Sequence, residues 1–526
     1  EDIVPSCSQP LGGPIPNDEH ACSVSLPSWA AVVGYEEGDV KITSSMKCGY
    51  PRFVYHPTIL QLMNVVVDRF ARGPNNKNED CLLVPGYAAA LRCQAFLQQA
   101  LEGSTDTLDN ALICHTEEPP SELEVTSSNI RIINLEASNV YAVMFLAKTV
   151  AGMQAKAYWQ HTGEIVSSRR AEEALCSLGI PLEKQVTCGP QAPYIFHPSK
   201  CAESDSDDEK IFKPLRKQIA KWCKMESENQ VFLTPSGMSS IYTALRSARR
   251  FQLQQGVANG GRSVVYGFPY LDTLKMCSRR ELCPGGVEFF GKGDEQDLKL
   301  LEQLLSRKYA PQVCALFTEV PSNPLLQCPD LRALRKLADE HNFALIVDDT
   351  IGNFLNIDMI HSGIADAVCT SLTKLVSGRG DAIAGSVVCN PFTEKGRWMQ
   401  RDLEREFSFN GANDTAQELF NSDARAILHN SCDFEKRNQQ INETSEILAD
   451  WLVQHEDVET VYYPKYTNLY PSLLNSTNGG YGGLMSILLQ SHMCQRTFYD
   501  SLNVAKGPSL GTNFTLVCPY TLLARK

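Results

Sequence analysis

Residues 366–385 read DAVCTSLTKLVSGRGDAIAG, and their reading decides the fold. The apolar run at 366–370 has the composition of a buried strand. It ends in Ser371-Leu372-Thr373-Lys374, and a Gly-rich turn follows. A lysine directly after a strand end, beside two hydroxyls, is costly unless its amine has a partner. A Schiff-base lysine has one. Pyridoxal 5'-phosphate (PLP) forms an imine with such an amine, and nearby Ser and Thr hydroxyls can hold the cofactor phosphate. Taken alone, the S-x-T-K pattern is also compatible with an ordinary surface lysine on a loop.

Working outward, the other parts such a cofactor needs occur in a consistent order. Upstream, Phe343–Val347 is a continuous apolar run that ends in Asp348-Asp349-Thr350. A carboxylate at a buried strand end can pair with a protonated pyridine nitrogen, and Asp348 is the candidate. Further upstream, Val231–Leu233 leads into Thr234-Pro235-Ser236-Gly237-Met238 and a helical run. A small-residue turn that opens a helix offers free backbone N–H groups to a phosphate. Between them, the short strand Ser263–Tyr266 ends in an aromatic that could stack on a pyridine face, so Tyr266 is expected beside the ring. A Gly turn before a helix is usually only a turn. Four such parts at successive strand ends are hard to obtain by chance.

These stretches resemble a known family. LTPSGMSSIYTALR, VVYGFPYLDTLK, FTEVPSNPLL, IVDDTIGNF, SLTKLVSG and KGPSLGTNFTLVCPYTLL are similar to the cystathionine γ-synthase group of fold-type I PLP enzymes, and more closely to its long fungal members. The match covers roughly residues 210–526, with a further one near Tyr50. The resemblance implies an α/β fold: a mostly parallel seven-stranded-type sheet with helices on both faces, a smaller C-terminal α+β domain and an N-terminal insertion. It implies Lys374 as the attachment lysine, assisted in proton transfer by Tyr266. It implies cofactor contacts from Ser236, Gly237, Met238, Tyr266, Asn323, Asp348, Thr350, Ser371 and Thr373. Asn323, in EVPSNP, and Ser509, in the Ser-Leu-Gly segment, are expected at the substrate. Tyr50 and Arg52 match a Tyr-x-Arg pair on an N-terminal arm that crosses to the neighbouring subunit's phosphate, so a homodimer or homotetramer with shared sites is expected.

The implied reaction is γ-substitution on an O-acylated L-homoserine, with cysteine as nucleophile, in methionine biosynthesis. Sulfide or a carbon nucleophile in specialised metabolism is the alternative, and a PLP-binding protein that has lost catalysis is a third reading. Lys374, Asp348 and Tyr266 all being present argues against the third. The family ends in an R-x-S-x-G pattern whose Arg takes the substrate carboxylate. That pattern is missing here, which leads to the expectation of a truncated C-terminus.

Charge and composition exclude other classes. The chain has 526 residues, a net charge of −13 and 43% hydrophobic residues. The acidic balance argues against nucleic acid or an anionic membrane as the main partner, and the resemblance implies small-molecule amino-acid substrates. No stretch is long and apolar enough to span a bilayer, and no signal pattern opens the chain. Nineteen scattered cysteines show no metal-like spacing, which predicts no metal site and reduced, buried thiols in a cytoplasmic protein.

Four regions are expected: an extended arm over 1–60, an inserted α/β segment over 61–210 that ends in an acidic linker, a PLP-binding domain over 211–390, and a small domain over 391–526. Within the insertion the periodicity predicts helices over 57–72, 86–102, 140–154 and 167–178, and strands at 111–114 and 129–135. Its histidines, His56, His115 and His161, read as structural. A docking or oligomerisation role is expected for this segment. In the last region a helix is predicted over 434–455, with Ile441, Leu448 and Leu452 on one face.

Overall fold

The computed structural model describes residues 10–48, 54–72, 78–102, 124–127, 130–136, 138–183, 209–408, 418–477 and 479–523. Its centre is a seven-stranded sheet. In chain order the strands are β5 (Val231–Thr234), β6 (Arg262–Tyr266), β7 (Val287–Phe290), β8 (Val313–Glu319), β9 (Ala344–Asp348), β10 (Ala367–Ser371) and β11 (Gly385–Cys389), and their spatial order is β5-β11-β10-β9-β8-β6-β7. All neighbours are parallel except β11, which runs antiparallel to both β10 and β5. The expected mostly parallel sheet is present.

Local chemistry explains the elements. Strand β8 is buried along its whole length, as a central parallel strand covered on both faces must be. The helix Leu331–Glu340 is capped by Asp330, which accepts from the N–H of Ala333, and it buries Leu331, Leu334, Leu337 and Ala338 on one stripe. The helix Gly237–Gln254 is buried on almost every side. One face lies on the sheet. Tyr158 and Trp159 of the inserted segment belong to the same apolar core as its Met238, Ile241 and Leu245.

The inserted segment is a second α/β layer. An antiparallel sheet of order β1-β4-β3-β2 is built from β1 (Glu79–Pro85), β2 (Glu124–Ser127), β3 (Ile130–Asn134) and β4 (Val140–Leu146). The predicted helices over 57–72, 86–102 and 167–178 are found as Pro57–Phe70, Tyr87–Glu102 and Ser168–Ser177. The predicted helix over 140–154 is corrected. Val140–Leu146 is the strand β4, and a helix starts only at Val150. The β-branched and aromatic run VYAVMFL prefers the pleated position between β1 and β3, buried over Val140 to Phe145, and tertiary pairing overrides the weak helical spacing. The strand expected at 111–114 and His115 lie outside the described residues, as does most of the acidic run at 201–210.

Residues 10–48 are not an extended arm. They carry the helices Trp29–Glu37 and Val40–Thr43. Leu26 donates its N–H to Lys506 O and accepts from the hydroxyl of Tyr499, so this segment packs on the C-terminal region. In that region the helix Phe434–Val453 packs over an antiparallel pair, β12 (Val458–Tyr462) with β13 (Ser486–Leu489). Leu448 is 46% exposed, so the expected apolar face is only partly realised; Phe434, Asn438 and Ala449 point inward. The described cysteines are free thiols, most of them buried. No helix among the described residues is long and apolar enough to cross a membrane, and no group of metal-ligating side chains occurs among them.

Candidate active site

The carboxyl ends of β5, β6, β8, β9 and β10 converge on one edge of the sheet, and a chain of contacts links them. Ser236 caps the helix that follows β5, its Oγ accepting from Ser239 N–H at 3.1 Å and donating to Gly163 O at 2.7 Å. Gly237 then lies against the end of β10: a Cβ there would come within 2.6 Å of Ser371 Cβ. Only glycine permits this approach. It brings the first-turn N–H groups of the helix next to the Ser371 hydroxyl, where an anion can be held by backbone donors. Ser371 N–H donates to Thr350 Oγ1 at 2.9 Å, and Thr350 N–H donates to Asp348 Oδ1 at 3.0 Å. Asp348 stands opposite Glu319 on β8 and Cys369 on β10. Glu319 Oε2 accepts from Tyr270 N–H at 2.7 Å.

Lys374 follows in the turn after β10. Its Nζ donates to Ser509 Oγ at 2.9 Å, so the two residues expected at the attachment point and the substrate wall meet across 135 positions of sequence. Asn323 lies in the turn after β8, and its carbonyl accepts from the hydroxyl of Tyr520 at 3.3 Å. Tyr50 and Arg52 lie outside the described residues.

Three expected roles do not survive. Tyr266 is only 2% exposed, and its hydroxyl donates to Asp294 O at 2.7 Å. Strand alternation sends Tyr266 into the core beside Phe290, on the face opposite Val265, so no ring surface is left for a cofactor. Tyr270, four residues on, is the half-buried aromatic at this strand end, and the sequence reading passed over it. Its signal was the change from strand to helix at Leu271, which places Tyr270 at the helix start. Thr373 is a second correction. Its Oγ1 donates to Ala384 O at 3.3 Å and accepts from Ala384 N–H at 3.1 Å. The hydroxyl's single proton is used to stitch the turn to β11 and is not offered to a phosphate. Ser236 is spent in the same way, on Gly163, which leaves the backbone N–H groups of Gly237 and Met238 and the Ser371 hydroxyl as the donors.

The electrostatics suit a cationic heterocycle. Burial raises the Asp348 carboxyl above its usual range, opposed by the donors of Thr350. Asp349, 2% exposed, is pushed up by burial to about 8, and it accepts from the hydroxyl of Thr370. Glu319 is raised well above the carboxylate range by burial and by Asp348. Among these acids Asp348 is the least enclosed, and a protonated ring nitrogen beside it would offset its burial. The residues therefore fit PLP: an anion cradle at Gly237 and Ser371, a lysine amine, and a carboxylate without a formal cation among its described partners.

The comparisons agree. The model of the family described as Cys/Met metabolism PLP-dependent enzyme matches residues 211–521, and that of the fungal trans-sulfuration enzyme, N-terminal domain, matches residues 58–167. A cystathionine gamma-synthase-like enzyme, iboG2 of Amanita muscaria, is 33% identical over 98% of this chain and 90% of its own. The cystathionine gamma-synthase of Saccharomyces cerevisiae is 29% identical over 98% and 93%. An alanine racemase, ungC of Aspergillus violaceofuscus, is 28% identical over 97% and 89%.

Proposed function

The chain belongs to the Cys/Met metabolism PLP-dependent enzymes and is a transferase of the cystathionine γ-synthase-like type, and from that premise we propose that it carries out γ-substitution on an O-acylated L-homoserine, with L-cysteine as nucleophile and L-cystathionine as product. The observation that carries the reading is the pairing of Lys374 Nζ with Ser509 Oγ at 2.9 Å, on the edge of the sheet that also holds Asp348 and the Gly237–Ser371 cradle.

PLP, when bound, supplies an electron-withdrawing ring that stabilises negative charge on the substrate carbon. The chain's own residues do the rest. Gly237 and Met238 N–H groups and the Ser371 hydroxyl would hold the phosphate. Asp348 would pair with the ring nitrogen and favour its protonated form. Tyr270 would supply an aromatic face for the ring. Lys374 is the base: an amine on a flexible stem can take a proton at Cα, pass it on and then take one at Cβ, so that the γ-ester leaves, and it can return both after the nucleophile has added at Cγ. Asn323 and Ser509 orient the amino acid. Arg52, with Tyr50, would complete the phosphate site of a neighbouring subunit.

A second reading is favoured by one observation. A relative named alanine racemase covers 97% of the chain, and racemisation needs the proton transfers at Cα but no nucleophile. Product analysis separates the readings. O-acetylhomoserine offered with cysteine should give cystathionine. Product formed only with sulfide or acetoacetate would move the assignment to another nucleophile, and racemised L-alanine without γ-substitution would overturn it. The shared site is tested by mixing inactive Arg52→Ala and Lys374→Ala proteins. Activity should return on subunit exchange, and mixed dimers that stay inactive would mean Arg52 serves no neighbour.

A further inference from the structure

We propose that Arg437 is a positioning residue that fixes the turn carrying Lys374 against the C-terminal helix. The proposal rests on Lys374 as the attachment lysine. Arg437 lies on the helix Phe434–Val453, 63 positions after Lys374, yet its guanidinium reaches back over the turn. Nη1 donates to Leu375 O at 2.6 Å, and Nη2 to Val376 O at 3.0 Å and Ser377 O at 3.4 Å. Nη2 also reaches Asn430 O at 3.2 Å. Three successive carbonyls directly after the lysine thus accept from one side chain.

The backbone makes room for this. Gly378 has φ +70°, and a Cβ there would come within 2.6 Å of Arg437 Nη1. The turn is closed by Ser377 N–H on Leu372 O and Gly378 N–H on Lys374 O. The carbonyls of Leu375, Val376 and Ser377 face Arg437, and the guanidinium satisfies them. Asn430 holds the same turn, donating to Ser377 Oγ at 2.9 Å and Asp381 Oδ1 at 2.8 Å. Burial lowers the Arg437 pKa, with Asp433 opposing; a guanidinium keeps its charge under that pressure. The number of acceptors decides the residue type. A planar fork can serve several carbonyls at fixed angles, and a lysine ammonium, a point donor on a flexible stem, cannot.

Small misplacements of a reacting group cost about a hundredfold, so Lys374 needs such a clamp. The test uses the full chain loaded with PLP, as Arg437→Met, Arg437→Lys and the control Lys465→Ala, which breaks an ion pair of the same helix away from the turn. Borohydride reduction and peptide mapping report how much cofactor is captured at Lys374. The pH midpoint of the visible band reports the environment of the amine. Cofactor-free melting reports stability.

Both Arg437 variants should shift the pH midpoint, capture less cofactor at Lys374 and lose at least about tenfold in kcat with KM little changed. Lys465→Ala should move only the melting temperature. A native midpoint and native capture in Arg437→Met would overturn the proposal, whatever its melting temperature. If that variant is not recovered folded, Arg437→Lys, which keeps the charge and loses the fork, decides on the same readouts. Cofactor captured in the wild type at a lysine other than Lys374 would remove the premise, and the proposal with it.

Discussion

The strand ends of the seven-stranded sheet and the N-terminal cover are both packed cores, but they carry opposite electrostatic liabilities. At the strand ends the buried titratable groups are acids, Glu319, Asp348 and Asp349, all raised by burial. In the cover, the described part of residues 10–72, they include two histidines. Burial lowers His20 to about 3 and His56 to about 4, from 6.5. His56 shows why its proton is unwelcome. Nε2–H donates to Glu19 O at 2.9 Å, so Nδ1 is the bare nitrogen that caps the helix Pro57–Phe70 by accepting from Thr58 N–H. The comparison teaches that the site region keeps buried acids ready for a cationic partner, and the cover holds its bases neutral. Between the two lies a buried ion cluster. Arg92 and Glu164 of the inserted segment meet Arg246 and Arg250 of the central helix, Asp402 and Glu406 of the helix Glu394–Ser408, and Glu418.

The largest expected effect sharpens the site half of the contrast. Asp348→Asn removes the carboxylate proposed to keep the ring nitrogen protonated, and turnover should fall by about two orders of magnitude or more, the scale of losing one preorganised charge contact. Steady-state kinetics at saturating PLP measures this. Near-native turnover would mean that Asp349 holds the ring.

The next breaks the junction between the regions. Arg92→Met leaves Glu164, 0% exposed in its side chain, without its 2.5 Å partner. Unpairing a buried charge of this kind costs about 3–5 kcal/mol. Denaturant unfolding followed with limited proteolysis should show the inserted segment released first. A single unchanged transition would show that apolar packing alone holds it.

A third prediction concerns pH, and its sign differs between the regions. The folded-state values of His20 and His56 are depressed, so their contribution is present above about pH 6.5 and lost as pH falls toward 4 and 3. The loss is about 1.4 kcal/mol per pH unit per group over that window. Asp349 runs the other way: raised from 3.8 to about 8, it favours the folded state at low pH, and that contribution is lost as pH rises through 8. Urea midpoints taken from pH 4.5 to 8.5 should fall at both ends. His56→Gln should flatten the acid limb, and Asp349→Asn should remove the alkaline fall and steepen the acid limb, because the Asp349 contribution is lost over the whole window from about pH 3.8 to 8. An acid limb of native slope in His56→Gln would remove that histidine from the account.

The smallest expected effect is local. Ser236→Ala deletes a helix cap, for about 1 kcal/mol of stability. PLP affinity should stay close to native, because the hydroxyl is spent on Ser239 and Gly163. A large loss of PLP affinity on titration would return Ser236 to the phosphate site.

The sequence by itself determined the parts that depend on neighbours in the chain. Alternating apolar strands and capped helices were legible, and so were the positions of Lys374, Asp348 and Gly237 at strand ends, because side-chain period and turn chemistry are short-range. Only the tertiary structure decided which partner each group took. Val140–Leu146 became a strand because β1 and β3 were there to pair with it. Tyr266 went to the core and Tyr270 to the edge, since which face of a strand is covered depends on the layers packed against it. Thr373 gave its proton to Ala384, and Arg437 closed over the turn of Lys374 from 63 positions away. A donor's choice among distant acceptors is set by packing that brings them within hydrogen-bond reach, and no local pattern records that distance.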